Sequence, residues 1–188
     1  MGYTGIRMEF FVSAVAELFS MLEHIGVWAY WLIFVIAFLD SLIVVGTFMS
    51  GTIFLLLAGV LVSKGVYDLA DMALFASIGA ILGSVTSYVI GRAIADSFND
   101  EGKLSQTKRF AHGSDLLETY GGAGILFGRF LGPASSVVSF IAGLSRLPVR
   151  TFLLWSVFGG LVWGVSYVFI GAFFGHLLPI QWGDSSVD

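Results

Sequence analysis

The sequence predicts an all-α integral membrane protein that combines transmembrane helices with broken helical segments. Of its 188 residues, 57% are hydrophobic and 12% are charged, whereas a soluble domain has about 25% charged residues. The apolar residues form runs of bilayer length, since about 20 of them cross a hydrocarbon core of roughly 30 Å. Two further runs are short or interrupted by glycine and proline, which favours helices that break inside the membrane.

We divide the chain into three parts on the basis of composition. Residues 1–25 are predicted to form an amphipathic helix, which either packs on its own bundle or lies in the membrane interface. Residues 26–178 form the membrane domain, with a polar loop and surface helix over 95–121. Residues 179–188 are a short acidic tail.

Several functional classes are excluded or disfavoured by composition. The chain has no cysteine, which excludes disulfides, thiolate metal sites and cysteine nucleophiles. A net charge of −4 gives no reason to expect nucleic acid as a partner. His112 and His176 lack the spacing of metal ligands, and no nucleophile elbow occurs. We therefore expect neither an enzyme nor a bound metal or cofactor.

The first half of the membrane domain contains two predicted full spans and one short run. Residues 26–47 form the first span, with Asp40 as its one charge, and 53–62 follow after Gly51-Thr52. This second run is too short to cross comfortably alone, so a re-entrant hairpin and one long broken helix both remain open. Residues 72–94 form the next span, and its small residues at four-residue spacing predict close helix contact. They are Gly79, Gly83 and Ser87.

The second half repeats this plan. Residues 122–145 are apolar but carry Arg129 and the Gly132-Pro133 break, so a re-entrant or broken helix is again predicted, and 151–178 form the last span. A weak internal repeat relates the two short runs. It matches GTFM at 46–49 and AGVL at 58–61 with GRFL at 128–131 and AGL at 142–144. Paired broken segments in two halves are typical of a transporter site at the membrane midplane, although chance resemblance between glycine-rich segments explains the match equally well.

The distribution of basic residues predicts the orientation. If both broken segments return to the side that they entered, seven basic residues share one side and Lys64 lies opposite. The richer side is cytoplasmic by the positive-inside rule, which places the N-terminus inside and the C-terminus outside. The seven are Arg7, Arg92, Lys103, Lys108, Arg109, Arg146 and Arg150.

Arg129 and Asp40 are the strongest candidates for a functional site. An arginine at the bilayer centre costs at least about 2.5–3.5 kcal/mol, so it faces a cavity or a partner, unless it lies near an interface and snorkels. Asp40 lies deep in the first span and is the natural counter-charge. It either pairs with Arg129, exchanges a proton, or caps the segment that follows.

Four further residues complete the candidate substrate or proton site. Arg92 and Tyr88 lie at the end of the 72–94 span, where an interfacial anchor and a functional role explain them equally well. Thr52 and Ser135 lie in the broken segments, where bonding back to the helix is the commoner role of a hydroxyl. Gly51, Gly132 and Pro133 are the predicted hinges.

A series of short motifs links these residues between about Phe34 and Leu178. In their order and spacing the chain resembles the DedA family of bacterial inner-membrane proteins, within the VTT (SNARE-associated Golgi protein) superfamily. The motifs are FLDS at 38–41, MSGT at 49–52, LAG at 57–59, GAILG at 79–83, SYVIGR at 87–92, GRFLGP at 128–133 and IAG at 141–143.

The resemblance implies a multi-pass inner-membrane fold with two re-entrant segments that face each other. It also implies movement or scrambling of lipids, with undecaprenyl phosphate and phosphatidylethanolamine as proposed substrates and protons as a proposed coupling ion. Asp40 matches the first acid of the family and Arg129 the first arginine of the re-entrant motif. Many members carry a second acid at the position of Thr52, an aspartate at the position of Ser84 and a second arginine at the position of Ser135.

Two functional hypotheses follow. In the first, the protein is a lipid transporter or scramblase in which Arg129 binds a phosphate head group and Asp40 balances it. In the second, it is a non-transporting membrane factor for envelope integrity or membrane-protein assembly, which the missing charges favour. Small-residue faces leave a homo-oligomer open, since they serve packing within one chain equally well.

Overall fold

The computed structural model describes residues 25–43, 51–97, 117, 119–130 and 135–177. These residues are helical and contain no strand. The main helices are α1 (Trp28–Ser41), α2 (Gly51–Ser63), α3 (Leu69–Ser97), α4 (Ala123–Arg129), α5 (Ser135–Leu144) and α6 (Val149–Leu177). The predicted amphipathic helix before residue 25, most of the 95–121 loop, the acidic tail, Gly132 and Pro133 lie outside the described residues.

Two of these helices are long and apolar enough to cross a membrane. They are Leu69–Ala95 within α3 and Val149–Leu177, which is α6. The predicted spans at 72–94 and 151–178 are therefore confirmed as helices of sufficient length. The two run antiparallel, because Gly160 of α6 lies against Ile81 of α3, whereas Gly164 lies against Ser77.

The prediction of a full helical span over 26–47 is wrong. Helix α1 has 14 residues and ends at Ser41, so it covers about 21 Å at 1.5 Å per residue. The backbone then turns extended at Leu42, where ψ is 134°. The Ser87 hydroxyl of α3 hydrogen-bonds to two backbone groups at the end of α1. It donates to the Ser41 carbonyl at 2.9 Å and accepts the Ile43 N–H at 3.1 Å.

Helices α1 and α2 approach each other at both of their ends. At one end, the Gly51 N–H that opens α2 donates to the carboxylate of Asp40 in the last turn of α1, at 2.7 Å. At the other end, Tyr30 near the start of α1 reaches the loop that follows α2. Its ring stacks edge-on to Tyr67, with centroids 5.4 Å apart, and its hydroxyl accepts the Asp68 N–H at 3.1 Å. The two helices therefore run in opposite directions.

Helix α1 lies along α3 in the same direction, in backbone contact at the predicted small residues. A Cβ on Gly79 would lie 2.2 Å from the Phe34 carbonyl oxygen, and one on Gly83 would lie 2.3 Å from that of Phe38. The prediction that this face of the span allows close helix approach is confirmed. Since the corresponding residues advance together, α1 and α3 are parallel.

The second broken segment has corresponding neighbours. Helix α4 lies along α6 in the same direction, because Gly122 packs on Trp155 and Phe130 stacks on Tyr167. Helix α2 packs on α6, and helix α5 packs on α3, each through a pair of glycines. On every one of these helices, the glycine lies three residues after the residue whose carbonyl meets the glycine of the partner helix. The carbonyl oxygens that approach within 2.3 Å of a Cβ built on these glycines are Val168 at Gly59, Leu56 at Gly171, Tyr88 at Gly143 and Phe140 at Gly91.

Candidate functional site

Arg129, the last residue of α4, lies inside the protein rather than at an interface. Its side chain is only 6% exposed, so it does not snorkel to the surface. Nη2 donates to the Ser84 hydroxyl at 2.5 Å and to the Ala80 carbonyl at 3.4 Å, both on α3. The described residues thus engage one of the three guanidinium nitrogens, which leaves donors for a further acceptor.

The sequence explains why α4 can bring an arginine so close to its neighbours. Gly128 precedes it, and a Cβ at that position would lie 2.7 Å from the Val138 side chain of α5. Gly159 of α6 lies on the other side, where a Cβ would be 3.8 Å from Nε of Arg129. Gly128 therefore lets α4 approach α5 closely, and the guanidinium lies between α3 and α6.

Asp40 holds the start of α2. Its carboxylate accepts the Gly51 N–H, and a Cβ on Gly51 would lie 2.8 Å from the Asp40 Cβ. A carboxylate at a helix N-terminus satisfies a free donor and interacts favourably with the helix dipole. The predicted capping role of Asp40 is therefore present, and Gly51 is required there because a larger residue would collide with Asp40.

Asp40 and Arg129 lie close enough for their charges to interact, but they hydrogen-bond to different groups. Asp40 bonds to Gly51, and Arg129 bonds to Ser84 and Ala80. They also lie at one level of α3, since Phe38 packs on Gly83, the neighbour of Ser84. The structure thus brings the two predicted charges to a similar level along α3.

Serine residues of α3 complete this centre, although they were not among the predicted site residues. Ser84 accepts from Arg129 and donates back to the Ala80 carbonyl at 2.9 Å, while Ser87 closes the end of α1. The available signal was the repetition of serines in an apolar span. Because a serine can simply bond back within its own helix, this signal does not reveal a partner 45 residues away.

Two buried hydroxyls near this centre lack a hydrogen-bond partner within the described part of the chain, those of Ser136 and Ser156. Ser136 lies in the first turn of α5. Ser156 lies on α6 between Phe152, which stacks on Tyr88, and Gly160, which packs on Ile81. It therefore faces α3 near Ser84. A buried hydroxyl without a partner costs about 1–3 kcal/mol.

Tyr88 and Arg92 lie farther along α3, at its crossing with α5. The Tyr88 hydroxyl bonds to the Leu147 carbonyl, at 2.5 Å, and accepts from Arg92 Nη1 at 3.0 Å. The Tyr88 ring stacks on Phe152 with centroids 4.2 Å apart. These contacts are separate from those of Arg129 and Asp40.

The remaining predicted residues are placed less fully. Thr52 is half-buried and follows Gly51 in the first turn of α2. Ser135 begins α5, but its side chain lies outside the described part, as do Gly132 and Pro133. In the part of the chain that the structure describes, no group of three histidine or carboxylate residues could hold a metal ion.

Comparison with known proteins identifies the class of this membrane protein. The model of the VTT domain matches residues 48–173, which include α2, α3 and all of the second broken segment. The chain therefore belongs to the VTT-domain proteins, and within them to the DedA family. No solved structure matches.

The similar proteins include three from Escherichia coli K12. The chain is 29% identical to Protein DedA over 178 residues, which cover 93% of this chain and 81% of DedA. It is 30% identical to inner membrane protein YghB, over 74% of this chain and 65% of the relative. The corresponding values for inner membrane protein YqjA are 30%, 78% and 67%. None of these names is that of an enzyme.

Proposed function

We propose that α1–α2 and α4–α5 are two re-entrant hairpins related by an inverted repeat. The paired ends of α1 and α2 support this for the first hairpin. In each half, the first arm runs parallel to the long helix of its own half, and the second arm crosses the other long helix at paired glycines. Because α3 and α6 are antiparallel, this pattern relates the halves by a two-fold axis in the membrane plane.

We further propose that the protein moves lipids with a phosphate-bearing head group across the membrane. The observation that carries this proposal is the buried Arg129 at the broken end of α4, with donors left over after its bonds to α3. A guanidinium matches the geometry of phosphate oxygens. A cation inside a membrane protein marks a substrate or ion pathway by default.

An asymmetry between the two hairpins indicates where the anion binds. At the first hairpin, the N-terminus of α2 already holds a carboxylate, that of Asp40. The sequence has no acidic residue between Glu118 and Asp184, so the second hairpin has no internal anion for the N-terminus of α5. Helix N-termini bind anions, and Arg129 and the unpartnered Ser136 hydroxyl lie near this one. A lipid phosphate would supply the missing charge.

Asp40 is then the counter-charge of the empty state. With no lipid present, its carboxylate lies close enough to Arg129 to offset part of that charge. When a phosphate binds, the site holds two anions and one cation, and uptake of a proton by Asp40 would restore the balance. This step couples lipid binding to protons. The relatives named inner membrane proteins support an inner-membrane location for this chain. The distribution of basic residues favours an N-terminus in the cytoplasm.

The test is lipid movement in liposomes that contain the purified protein. Fluorescent phosphatidylethanolamine and undecaprenyl phosphate are followed as they become accessible from the other leaflet, with and without a pH gradient. Arg129→Ala and Asp40→Asn should reduce movement to the rate of protein-free liposomes. Arg150→Ala is the matched control, since Arg150 is exposed at the start of α6. Normal lipid movement in both site variants would exclude Arg129 and Asp40 as residues of the transport site.

The second candidate is a non-transporting membrane factor. It is favoured by the bonds from Arg129 to Ser84 and Ala80, which give the arginine a structural role without any ligand. In that case the wild-type protein moves neither lipid in the same assay. The effect of Arg129→Ala would then be a loss of protein stability, with no transport activity to reduce.

A further inference from the structure

A cavity of about 170 Å³ lies between the two arms of the first hairpin, and neither Asp40 nor Arg129 lines it. Residues of α1 and α2 form most of its wall, and Tyr67 and Met72 close the side toward α3. Its lining is otherwise aliphatic or aromatic, including Ile33, Leu57 and Ala58. A water molecule needs two to four polar partners, and apolar cavities of about 150 Å³ stay dry and take up molecules such as benzene. A hydrocarbon group suits this cavity.

The mouth of the cavity opens on the outer surface of the hairpin. Leu32 and Phe54, one on each arm, belong to the lining and are 40% and 37% exposed. In a membrane, an opening between such side chains meets lipid chains. The lining extends over α1 from Ala29 to Ile36, about 10 Å at 1.5 Å per residue. This slot accepts part of one chain and is too small for a folded protein segment with its own side chains.

The inner end of the slot lies next to the charged centre. Ile36 is one helical turn before Asp40, and Phe54 is three residues after Gly51, to which Asp40 is bonded. A chain in the slot would therefore end within about one turn, roughly 6 Å, of this carboxylate. The polar site and the apolar slot are continuous along α1, as a lipid with a polar head and an apolar chain requires.

We propose that this slot binds one hydrocarbon chain of a membrane lipid, so that the first hairpin holds the chain while the second holds the phosphate. This proposal rests on the proposed transport function in one respect only, namely that the bound chain belongs to the lipid that is transported. The slot contains no group that distinguishes head groups. Chain binding should therefore not depend on Arg129.

The experiment is photolabelling of the purified protein in nanodiscs with a phospholipid that carries a diazirine in its acyl chain. The labelled residues are found by mass spectrometry. Met72 and Leu74 form a matched pair on α3. Met72 lines the slot and is 1% exposed, whereas Leu74 is 48% exposed. Lipids around the protein reach Leu74, but only a chain inside the slot reaches Met72.

Labelling of Met72 is expected in the wild-type protein and in Arg129→Met. Ala58→Leu, which fills the slot from α2, should lower it about tenfold or more by overpacking, with Leu74 labelled as before. Ala29→Leu fills the slot from α1 and replaces the first variant if that one does not fold. The inference is overturned if Met72 stays unlabelled, as when another segment or a second copy fills the slot, or if both filled variants label it normally.

Transport in the same preparations separates this inference from the proposed function. If Met72 is labelled and Ala58→Leu slows lipid movement while the outer-face variant Leu74→Phe does not, both stand. If Met72 is labelled but no lipid moves, the proposed function fails, and the chain site remains. If lipid moves without labelling of Met72, the chain site fails alone.

Discussion

Replacement of Arg129 by methionine should abolish lipid movement while leaving the protein about as stable as before. If Arg129 had a structural role instead, the replacement would lower the stability of the protein and leave lipid movement unchanged. Burial of the cation costs about 2.5–3.5 kcal/mol or more in a membrane. Its hydrogen bonds to Ser84 and Ala80 each return about 1.5–3 kcal/mol, the range for bonds to charged groups. The bond to Ala80 is long, at 3.4 Å, so the two bonds together return about 3–4.5 kcal/mol. The terms then nearly cancel, and their joint removal should change the free energy of unfolding by about 2 kcal/mol or less.

Methionine suits this test because it fills the space of the arginine stem without a polar group. Apolar replacement of buried charges is often neutral or stabilising. Ser84 is not left without a partner, since its hydroxyl keeps the Ala80 carbonyl. Unfolding is measured by titration with a denaturing detergent, and lipid movement in liposomes from the same preparation. Retained transport together with a loss above about 3 kcal/mol would show that Arg129 serves the fold and refute the reasoning.

Three more substitutions test separate parts of the structure. Ser84→Ala removes the 2.5 Å bond of Arg129 and should lower the free energy of unfolding by about 1–3 kcal/mol, with slower transport; an unchanged denaturation midpoint would contradict the assigned contact. Gly143→Ala would place a Cβ 2.0 Å from a backbone carbonyl oxygen, whereas the matched Gly159→Ala meets nothing nearer than 3.4 Å, so thermal melting should fall clearly in the first variant alone. Asp40→Ala should cost about 0.5–2 kcal/mol through the lost cap on α2, and Asp40→Asn less, because its amide oxygen still accepts the Gly51 N–H; equal losses in chemical denaturation would argue against this cap.

The long helices could be predicted from the sequence because one property determines them. An apolar run of about 20 residues must satisfy its backbone within a helix when it crosses a membrane, and α3 and α6 follow this rule. The contact face of α3 was equally accessible, since Gly79 and Gly83 repeat at helical spacing. The local pattern of residues therefore predicts both the long helices and the contact face of α3.

The end of α1 could not be found in this way. The apolar run continues to residue 47, and no glycine or proline marks Ser41 as the last helical residue. The helix can end there because the Ser87 hydroxyl serves both released backbone groups from another helix. A cap supplied 46 residues away leaves no local pattern. For the same reason the sequence marked Ser84 as a position of the family pattern but did not indicate its bond to Arg129, which belongs to the other half of the chain.

The bonds of Arg129 to α3 explain how this arginine can remain in a site with fewer charges than the family motif implies. The family resemblance implies an aspartate at the position of Ser84, but here α3 gives the guanidinium a hydroxyl and a carbonyl rather than a counter-charge. Two neutral acceptors keep the arginine in position, but they do not neutralise it. Asp40 is the nearby anion but is bonded to Gly51. Under the proposed function, a cation that is held in place without direct neutralisation would gain more from a phosphate than one already paired. This gain would compensate for the absence of a second arginine at Ser135.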